Sequence, residues 1–375
     1  RGGWGGGGGS RTSERAGMAE CGACARPRRE ARRDCLPLCE ACGERFDRRA
    51  PDEFFLAAYA APAFVLRARG AVLEPLLEPL MLPAPRGPPS KASADEVLRP
   101  LLALDGASPP PPLLVLLGSG ASAAYGVRPN YGPGDAEGDA SLGVNERYWR
   151  VLKDSAAAAT SGTPDACFYS RLGAFLRARK GASACIATTN IDGLAGRWLD
   201  AGGAPCTALE LHGSVLRLQC ATRGAPCCDS VRPTPLEDVA ASTSASECEW
   251  SCETCGGRMR LNVSSFDDEP GDVLDVEDVQ ERLQAFAGDH LLRGGDGPST
   301  PTLHVLVVGC GEHVHSLVHE ARAVACERAL AGLGTRVVCV NPCDAGARAF
   351  GEGCLQVGAT AEELGLAMVR AVEGV

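Results

Sequence analysis

The segment ELHGSVLRLQC, residues 210 to 220, sets His212 in a glycine-flanked turn eight positions before Cys220, where the chain turns cysteine-rich. An imidazole there can serve as a general base near neutral pH, or it can be a polar residue satisfied by its surroundings. His212 is the one histidine in the middle of the chain; His290 and His304 lie later, and His313, His315 and His319 read as a solvated helix face or an adventitious metal site. Downstream, SCETCGG pairs Cys252 with Cys255 in a knuckle that lets two thiolates grip one zinc ion, the glycines allowing the tight turn. Cys220 supplies a third ligand and Cys227 or Cys228 the fourth, with Cys248 to spare; the rival reading is chance thiols or a disulfide. Four thiolates leave no open position, so such a zinc is structural. Cys21, Cys24, Cys39 and Cys42 repeat the paired spacing, with Cys35 to spare, and predict a separate zinc module. Its arginines suit nucleic acid or an acidic protein surface, or form a solvated face.

Four glycine- or Asn/Asp-bearing turns could meet a ligand. GSGAS at 118 to 122 allows backbone to approach a phosphate, or is a simple tight turn. TTNIDG at 188 to 193 offers Asn190 and Asp192 to a ribose or an amide, or forms an Asx turn. GCGEH at 309 to 313 and VNP at 340 to 342 each close a later apolar run.

The elements that must position these turns alternate. ADEVLRPLLAL (94 to 104) reads as a helix, and LLVLLG (113 to 118) as a short apolar run typical of a strand buried on both faces. FYSRLGAFLRARKG precedes the strand ACIATTN, and LHVLVVG (303 to 309), the helix VHSLVHEARAVACERALAG and the strand RVVCVN repeat the pattern. Strand, helix, strand predicts an α/β fold with a doubly wound parallel sheet, whose ligands lie beyond the carboxyl ends of the strands. Residues 218 to 262 interrupt it, cysteine-rich and poor in either periodicity, as a small metal-held insertion does.

Organisation follows. Residues 1–17 are Gly-rich and read as disordered, 18–50 as the amino-terminal CxxC zinc module, 51–94 as a proline-broken helical segment with a linker, and 95–375 as the α/β domain carrying the insertion. The sequence opens on Arg1 with its first methionine at Met18, which leaves the true start, and any targeting segment, open. With 375 residues a full core can be buried. The 34 Arg against 3 Lys mark a composition-wide bias, so spacings carry more weight than propensities or the total of 19 cysteines. Residues 1 to 50 balance to +4, leaving −14 for the rest of a chain of net charge −10, which argues against non-specific nucleic-acid binding by the whole chain. No apolar run reaches the roughly 20 residues a membrane helix needs, so a soluble protein that does not engage a membrane is expected. Paired rather than scattered cysteines favour a reducing intracellular compartment, nuclear or cytoplasmic, and RPRREARR is compatible with nuclear import.

The motifs in this order resemble the sirtuin family over roughly residues 95 to 375. GSGAS is similar to the family's Gly-Ala-Gly-Ile-Ser, TTNIDG to its Thr-Gln-Asn-Ile-Asp-Gly, and ELHGS matches its Glu-Leu-His-Gly-Ser outright. The cysteines from Cys220 to Cys255 resemble its zinc pairs, RMRLNVSSFDDE its Leu-Arg-Pro-x-Val-Val-x-Phe-Gly-Glu segment, GCG its Gly-Thr-Ser, VNP its Ile-Asn, and GATAEEL (358 to 364) its closing adenine-contacting stretch. Intervals agree: 72 residues from Gly118 to Asn190, 22 more to His212, eight to Cys220.

The resemblance implies a Rossmann-like NAD domain, a small zinc domain and an acyl-lysine peptide in the cleft between them. In that family the acyl oxygen displaces nicotinamide from the ribose, and the histidine takes a ribose hydroxyl proton so that the sugar attacks the acyl carbon. His212 would be that base, with Asn190 on the ribose and Asp192 on the nicotinamide amide. Gly118, Ser119, Gly120, Ala121 and Ser122 would meet the phosphates, with Thr189 beside the ribose. Gly309, Cys310 and Gly311, together with Asn341 and Ala359, would complete the cofactor contacts. Val263 and Phe266 would pair with peptide backbone. The sequence departs from the family where GVRPNYG stands for Gly-Ile-Pro-Asp-Phe-Arg: with one inserted residue, Asn130, Tyr131 and Gly132 replace the Asp, Phe and Arg. Thr189 also replaces the Gln, and Gly311 the Ser. The expectation is an NAD-dependent protein lysine deacylase with thinned cofactor contacts; ADP-ribosyl transfer or NAD hydrolysis, and a catalytically dead NAD- and zinc-binding protein, are the rivals.

Overall fold

The computed structural model describes residues 88–102, 110–128, 144–161, 167–221, 231–244, 248, 250–263, 302–310, 334–343 and 354–374, with isolated positions between 279 and 347. The amino-terminal cysteine set, Cys21, Cys24, Cys39 and Cys42, lies outside these residues, as do Cys227, Cys228, Phe266, Gly311 and the 129–143 stretch.

Seven strands form one parallel sheet. In chain order its members are β1 (Ser90–Lys91), β2 (Leu113–Leu117), β3 (Ala184–Thr188), β4 (Ala208–Glu210), β8 (Leu303–Val308), β9 (Thr335–Val340) and β10 (Cys354–Val357). The spatial order is β1-β10-β9-β8-β2-β3-β4. Winding runs outward from β2 through β3 to β4, then returns to β8 on the other side of β2 and continues through β9 and β10. The direction reverses between β2 and β8, and at such a switch point the two following loops part and leave a crevice. This is the doubly wound sheet that the alternation predicts.

The central strands are apolar throughout because both faces are covered. Leu113, Val115 and Leu117 of β2 join a core with α1 (Ala94–Leu102), α3 (Phe168–Ala178) and α6 (Ala361–Glu373), while Leu114 and Leu116 face the opposite layer with Leu283, Leu317 and Val324. Capping boxes start two of these helices: Ser93 with Glu96 on α1, and Thr360 with Glu363 on α6. The second box begins α6 three residues after β10, so the GATAEEL stretch leaves the sheet at its carboxyl edge. Two further helices, α2 (Val144–Ser161) and α4 (Leu194–Ala201), complete this layer. Among the described residues no helix is long and apolar enough to cross a membrane.

The cysteine-rich insertion is more regular than its sequence reads. A three-stranded antiparallel sheet orders β6 (Val231–Pro233), β5 (Gly213–Cys220) and β7 (Met259–Val263), with α5 (Leu236–Ala241) beside it. A register shift between Ser214 and Leu218 bends β5, and its burial runs in blocks rather than alternating, which hides the two-residue period. Similarly, Ser90–Lys91 sits in what reads as linker, yet it adds a two-residue parallel edge to β10.

His304 exposes a cost of this packing. Burial, and then the charges of Arg336 and Arg179, push its imidazole down to about 4. Arg336 is its register partner on β9, and Arg179 is buried with Nε on the Leu101 carbonyl, 3.0 Å away. The folded state keeps His304 neutral while the unfolded chain protonates near 6.5. Its contribution is therefore complete above pH 6.5 and lost as pH falls toward 4. Against wild type, His304→Leu should lose about 1–2 kcal/mol less stability across that window, after solvent screening is discounted, in denaturant titrations at stepped pH. Parallel losses would refute the assignment.

Candidate functional site

Five strand ends lie level. Leu117 pairs with Thr188 on one side and Val308 on the other, Val308 with Val340, and Val340 with Val357. The segments that leave those ends are GSGAS, TNIDG, Gly309–Cys310, Asn341 and Gly358–Thr360, so the turns singled out above occupy one rim.

Backbone contact stitches the rim together at the switch point. Gly118 N–H donates to the Val308 carbonyl at 2.9 Å, Gly120 N–H to the Gly309 carbonyl at 2.9 Å, and Gly309 N–H to the Val340 carbonyl at 3.0 Å. A Cβ on Gly118 would lie 2.7 Å from the Gly309 oxygen, and one on Gly120 2.7 Å from the Gly309 Cα. Gly309 itself has φ +67°. The glycines of both loops are thus required by each other, whatever ligand they also meet. Ser119–Ala121 forms a 3-10 turn, so the tight-turn reading of GSGAS holds. Gly309→Ala combines a left-handed backbone with a backbone clash and should lower stability by about 2–4 kcal/mol in denaturant unfolding. An unchanged midpoint would show that the two loops can separate freely.

The TTNIDG turn is fixed from several sides. Thr188 Oγ1 donates to the Leu117 carbonyl at 2.8 Å and accepts from Asn190 N–H at 3.0 Å, while Asn190 Nδ2 donates to the Gly118 carbonyl at 2.9 Å. Asp192 Oδ1 accepts from Leu194 N–H at 2.9 Å and opens α4, so the Asx-turn reading is realised. Its carboxyl is buried, which raises its pKa against the opposing hydrogen bonds from Ser122 and Leu194. Ser122 Oγ lies 2.6 Å from the Tyr169 hydroxyl, whose pKa is raised, first by burial and then by the Asp192 charge. Tyr169 on α3 is a member of this network that the motifs do not reveal, since only the packing of α3 brings it to the rim.

His212 lies in the two-residue turn between β4 and β5. Leu211 N–H donates to the Thr188 carbonyl at 2.9 Å, and Val215 N–H to Ile191 at 2.7 Å, which sews this turn onto TTNIDG. Gly213, at φ +75°, lets β5 start hard against Asn262 of β7. His212 is exposed at the turn, with enough protein near the ring to desolvate it in part. Desolvation lowers its pKa from 6.5, opposed by a hydrogen bond to the backbone of Thr189. It is thereby neutral and able to accept a proton at pH 7.

Other predicted contacts do structural work at the same edge. Asn341 Nδ2 donates to the Cys310 carbonyl at 2.7 Å, and its N–H to Val357 at 3.1 Å. Cys310 is buried and its thiol is pushed up to about 12 by burial, so it offers packing rather than a nucleophile. Ala359 N–H folds back on the Val357 carbonyl at 2.9 Å. Arg128, next to the altered loop, pairs with Asp154 of α2 at 3.1 Å. Val263 pairs with Gly213, placing the end of β7 beside the His212 turn.

The metal-ligand reading gains a cluster. The sulfurs of Cys220, Cys252 and Cys255 lie within 4.8 Å of one another, with Cys220 Sγ 3.7 Å from Cys255 Sγ. Cys252 N–H donates to the Gly257 carbonyl at 2.7 Å and Gly257 N–H to the Cys255 sulfur at 3.3 Å, which shapes the knuckle. Backbone N–H groups of Cys255 and Thr254 pull the Cys252 thiol pKa down, favouring the thiolate a metal needs. Cys248 stands apart, 3.1 Å from Ser242 Oγ. The three thiols suit a soft tetrahedral ion such as zinc.

No family model matches the sequence, and comparison with curated proteins returns no match. Solved structures do match. A crystal structure of a Sir2 homologue–NAD complex superposes with a TM-score of 0.50 and 16% identity, over 78% of this chain and 98% of that one. A structure described for the mechanism and regulation of Sir2 enzymes gives a TM-score of 0.50 and 16% identity, over 76% and 98%. The chain has the Sir2 fold.

Proposed function

We propose that this chain is an NAD-dependent protein lysine deacylase of the sirtuin family, with a structural zinc held by its insertion. The observation that carries the reading is the placing of His212: a neutral imidazole hydrogen-bonded to Thr189, on the rim where Gly118, Asn190 and Asp192 converge at the switch point. NAD, when bound, supplies the ribose that receives the acyl group, and one of the matching folds is described as an NAD complex. The chain's own residues would do the rest. The Gly118–Ser122 turn offers a surface of backbone and small side chains to phosphates. Asn190 and Asp192, held rigid by their own hydrogen bonds, orient the sugar and the amide. His212 accepts a proton from a ribose hydroxyl, and an acyl-lysine peptide lies along the end of β7 near Val263. Cys220, Cys252 and Cys255, with Cys227 or Cys228, would hold the zinc and keep β5 and β7 in place. The paired cysteines favour a reducing intracellular setting, nuclear or cytoplasmic, and the amino-terminal module suits a protein or nucleic-acid partner.

The purified chain, given NAD and a panel of acylated lysine peptides, should release nicotinamide only when peptide is present, with one acylated ADP-ribose for each lysine freed. A second reading has its own observation. Arg128 is engaged by Asp154, and GVRPNYG has no arginine where the family carries one, so a looser grip could admit water. Nicotinamide release without peptide would establish NAD hydrolysis or ADP-ribosyl transfer instead, and NAD binding without any release would identify a binding protein.

A further inference from the structure

The ion pair of Glu210 and Arg217 has no part in the chemistry above, yet it brackets the His212 turn. Glu210 is the last residue of β4, and Arg217 lies in the middle of β5; the chain between them is the Leu211–His212 turn and the start of β5. Arg217 Nη2 donates to Glu210 Oε2 at 2.9 Å. The carboxylate is nearly buried, with its side chain 11% exposed, and the buried Arg217 Nε has no hydrogen-bond partner among the described residues. Arg217 thus commits its one strong contact to this carboxylate. Among the described residues the charged groups acting on Glu210 are two: Arg217 of β5 and Asp192 of the turn before α4. On its remaining side Glu210 Oε1 faces Gly196 of α4, where a Cβ would stand 3.4 Å away.

We propose that the Glu210–Arg217 pair is the positioning device of the candidate base: ionised Glu210 holds Arg217 across the turn and so keeps the imidazole against Thr189, and a proton on Glu210 releases it. The proposal rests on the reading of His212 as the base. Two buried carboxylates, Asp192 and Glu210, sit close enough for the Asp192 charge to act on Glu210, and Arg217 pairs with Glu210. Burial pushes the Glu210 carboxyl up to about 7, with the Asp192 charge adding to the rise and Arg217 opposing it. Glu210 is therefore charged in mildly alkaline solution and neutral in mildly acidic solution. Two protonations, not one, then switch the site off: Glu210 near pH 7 and His212 below 6.5.

The test has a kinetic and a turnover-free arm on the full chain. Wild-type kcat/KM should fall with a slope approaching two on the acid side, the first step near pH 7. Glu210→Gln should lower kcat/KM about 10- to 100-fold at pH 8, the cost of a loosely held base. What remains should fall with a slope of one and a midpoint below 6.5. Arg217→Met should move the first step to higher pH, and Arg217→Lys should restore part of the rate. Ionising Glu210 costs the fold, so Glu210→Gln should melt at or above the wild-type temperature at pH 8, which separates loosening from unfolding. In the second arm, nitrogen NMR of the His212 ring should show its N–H protected above pH 7 in wild type, lost below pH 7, and unprotected throughout in Glu210→Gln. If Glu210→Gln stays within twofold of wild type at pH 8, keeps the same acid limb and leaves the ring signal unchanged, the pair does not position His212. If wild type releases no nicotinamide while the ring signal still follows Glu210, the reaction is wrong and the positioning stands.

Discussion

His212→Ala should cut nicotinamide release by about 100- to 10,000-fold, the usual worth of a general base, while the protein unfolds at nearly the wild-type midpoint. Both halves follow from where the ring sits. It keeps accessible surface and its hydrogen bond among the described residues is to Thr189, so truncation opens no core cavity and removes about 0.5–1.5 kcal/mol of bonding. The turn is held without it, by Leu211 on Thr188, Val215 on Ile191 and the Glu210–Arg217 pair. NAD affinity should change little, since the base is needed for proton transfer rather than for the grip of Gly118 and Asn190. Single-turnover rates with acyl peptide and NAD titrations of the same preparation separate the two quantities. Equal rates in mutant and wild type would remove His212 from the mechanism.

How far the chain disclosed this site depends on what each residue touches. LLVLL and LHVLVV are legible as central strands because burial on both faces demands unbroken apolar runs, and the glycines after them mark where the chain must turn at the sheet's edge. ELHGS is legible because its spacing from TTNIDG and from Cys220 is a chain distance. Other features are properties of the packed molecule. Tyr169 has no local signal, since the turn of α3 alone brings its hydroxyl to Ser122. The coupling of Glu210 to Asp192 arises where the end of β4 meets the turn before α4, 18 positions earlier in the chain. The Gly118 and Gly309 contact needs β2 and β8 side by side, and only the winding order puts them there. β5 conceals its period behind a bulge, and so the insertion reads as irregular when it is a sheet. The choice between Cys227 and Cys228, and the amino-terminal cysteine module, fall outside the described residues and rest on spacing.

Removing the metal should have the larger structural effect. A structural zinc in a small module supplies on the order of 10 kcal/mol, comparable to the stability of a whole domain. Around the cysteines the apolar support among the described residues is slight: Leu218, Cys220, Cys252 and Met259 form a cluster of their own with Trp250 and Leu261 packed against it, while Val239 of α5 joins the main core. Three of the sulfurs meet within 4.8 Å, and deprived of a cation that arrangement crowds Cys252, whose thiolate the backbone N–H groups of Cys255 and Thr254 favour, against two further sulfurs. Cys252→Ser should therefore abolish stoichiometric zinc in metal analysis and make the 218–262 segment open to proteolysis. The sheet from β2 to β10 keeps its own two-sided core and should retain a cooperative melting transition. Activity should go with the insertion, because Gly213 and Val263 pair β5 with β7 directly beside His212. A strong chelator should reproduce the loss in wild type, and added zinc should reverse it there but not in Cys252→Ser. A metal-free Cys252→Ser protein that resists protease and turns over normally would show that β5 and β7 hold together without an ion, and the cysteines would then need another explanation.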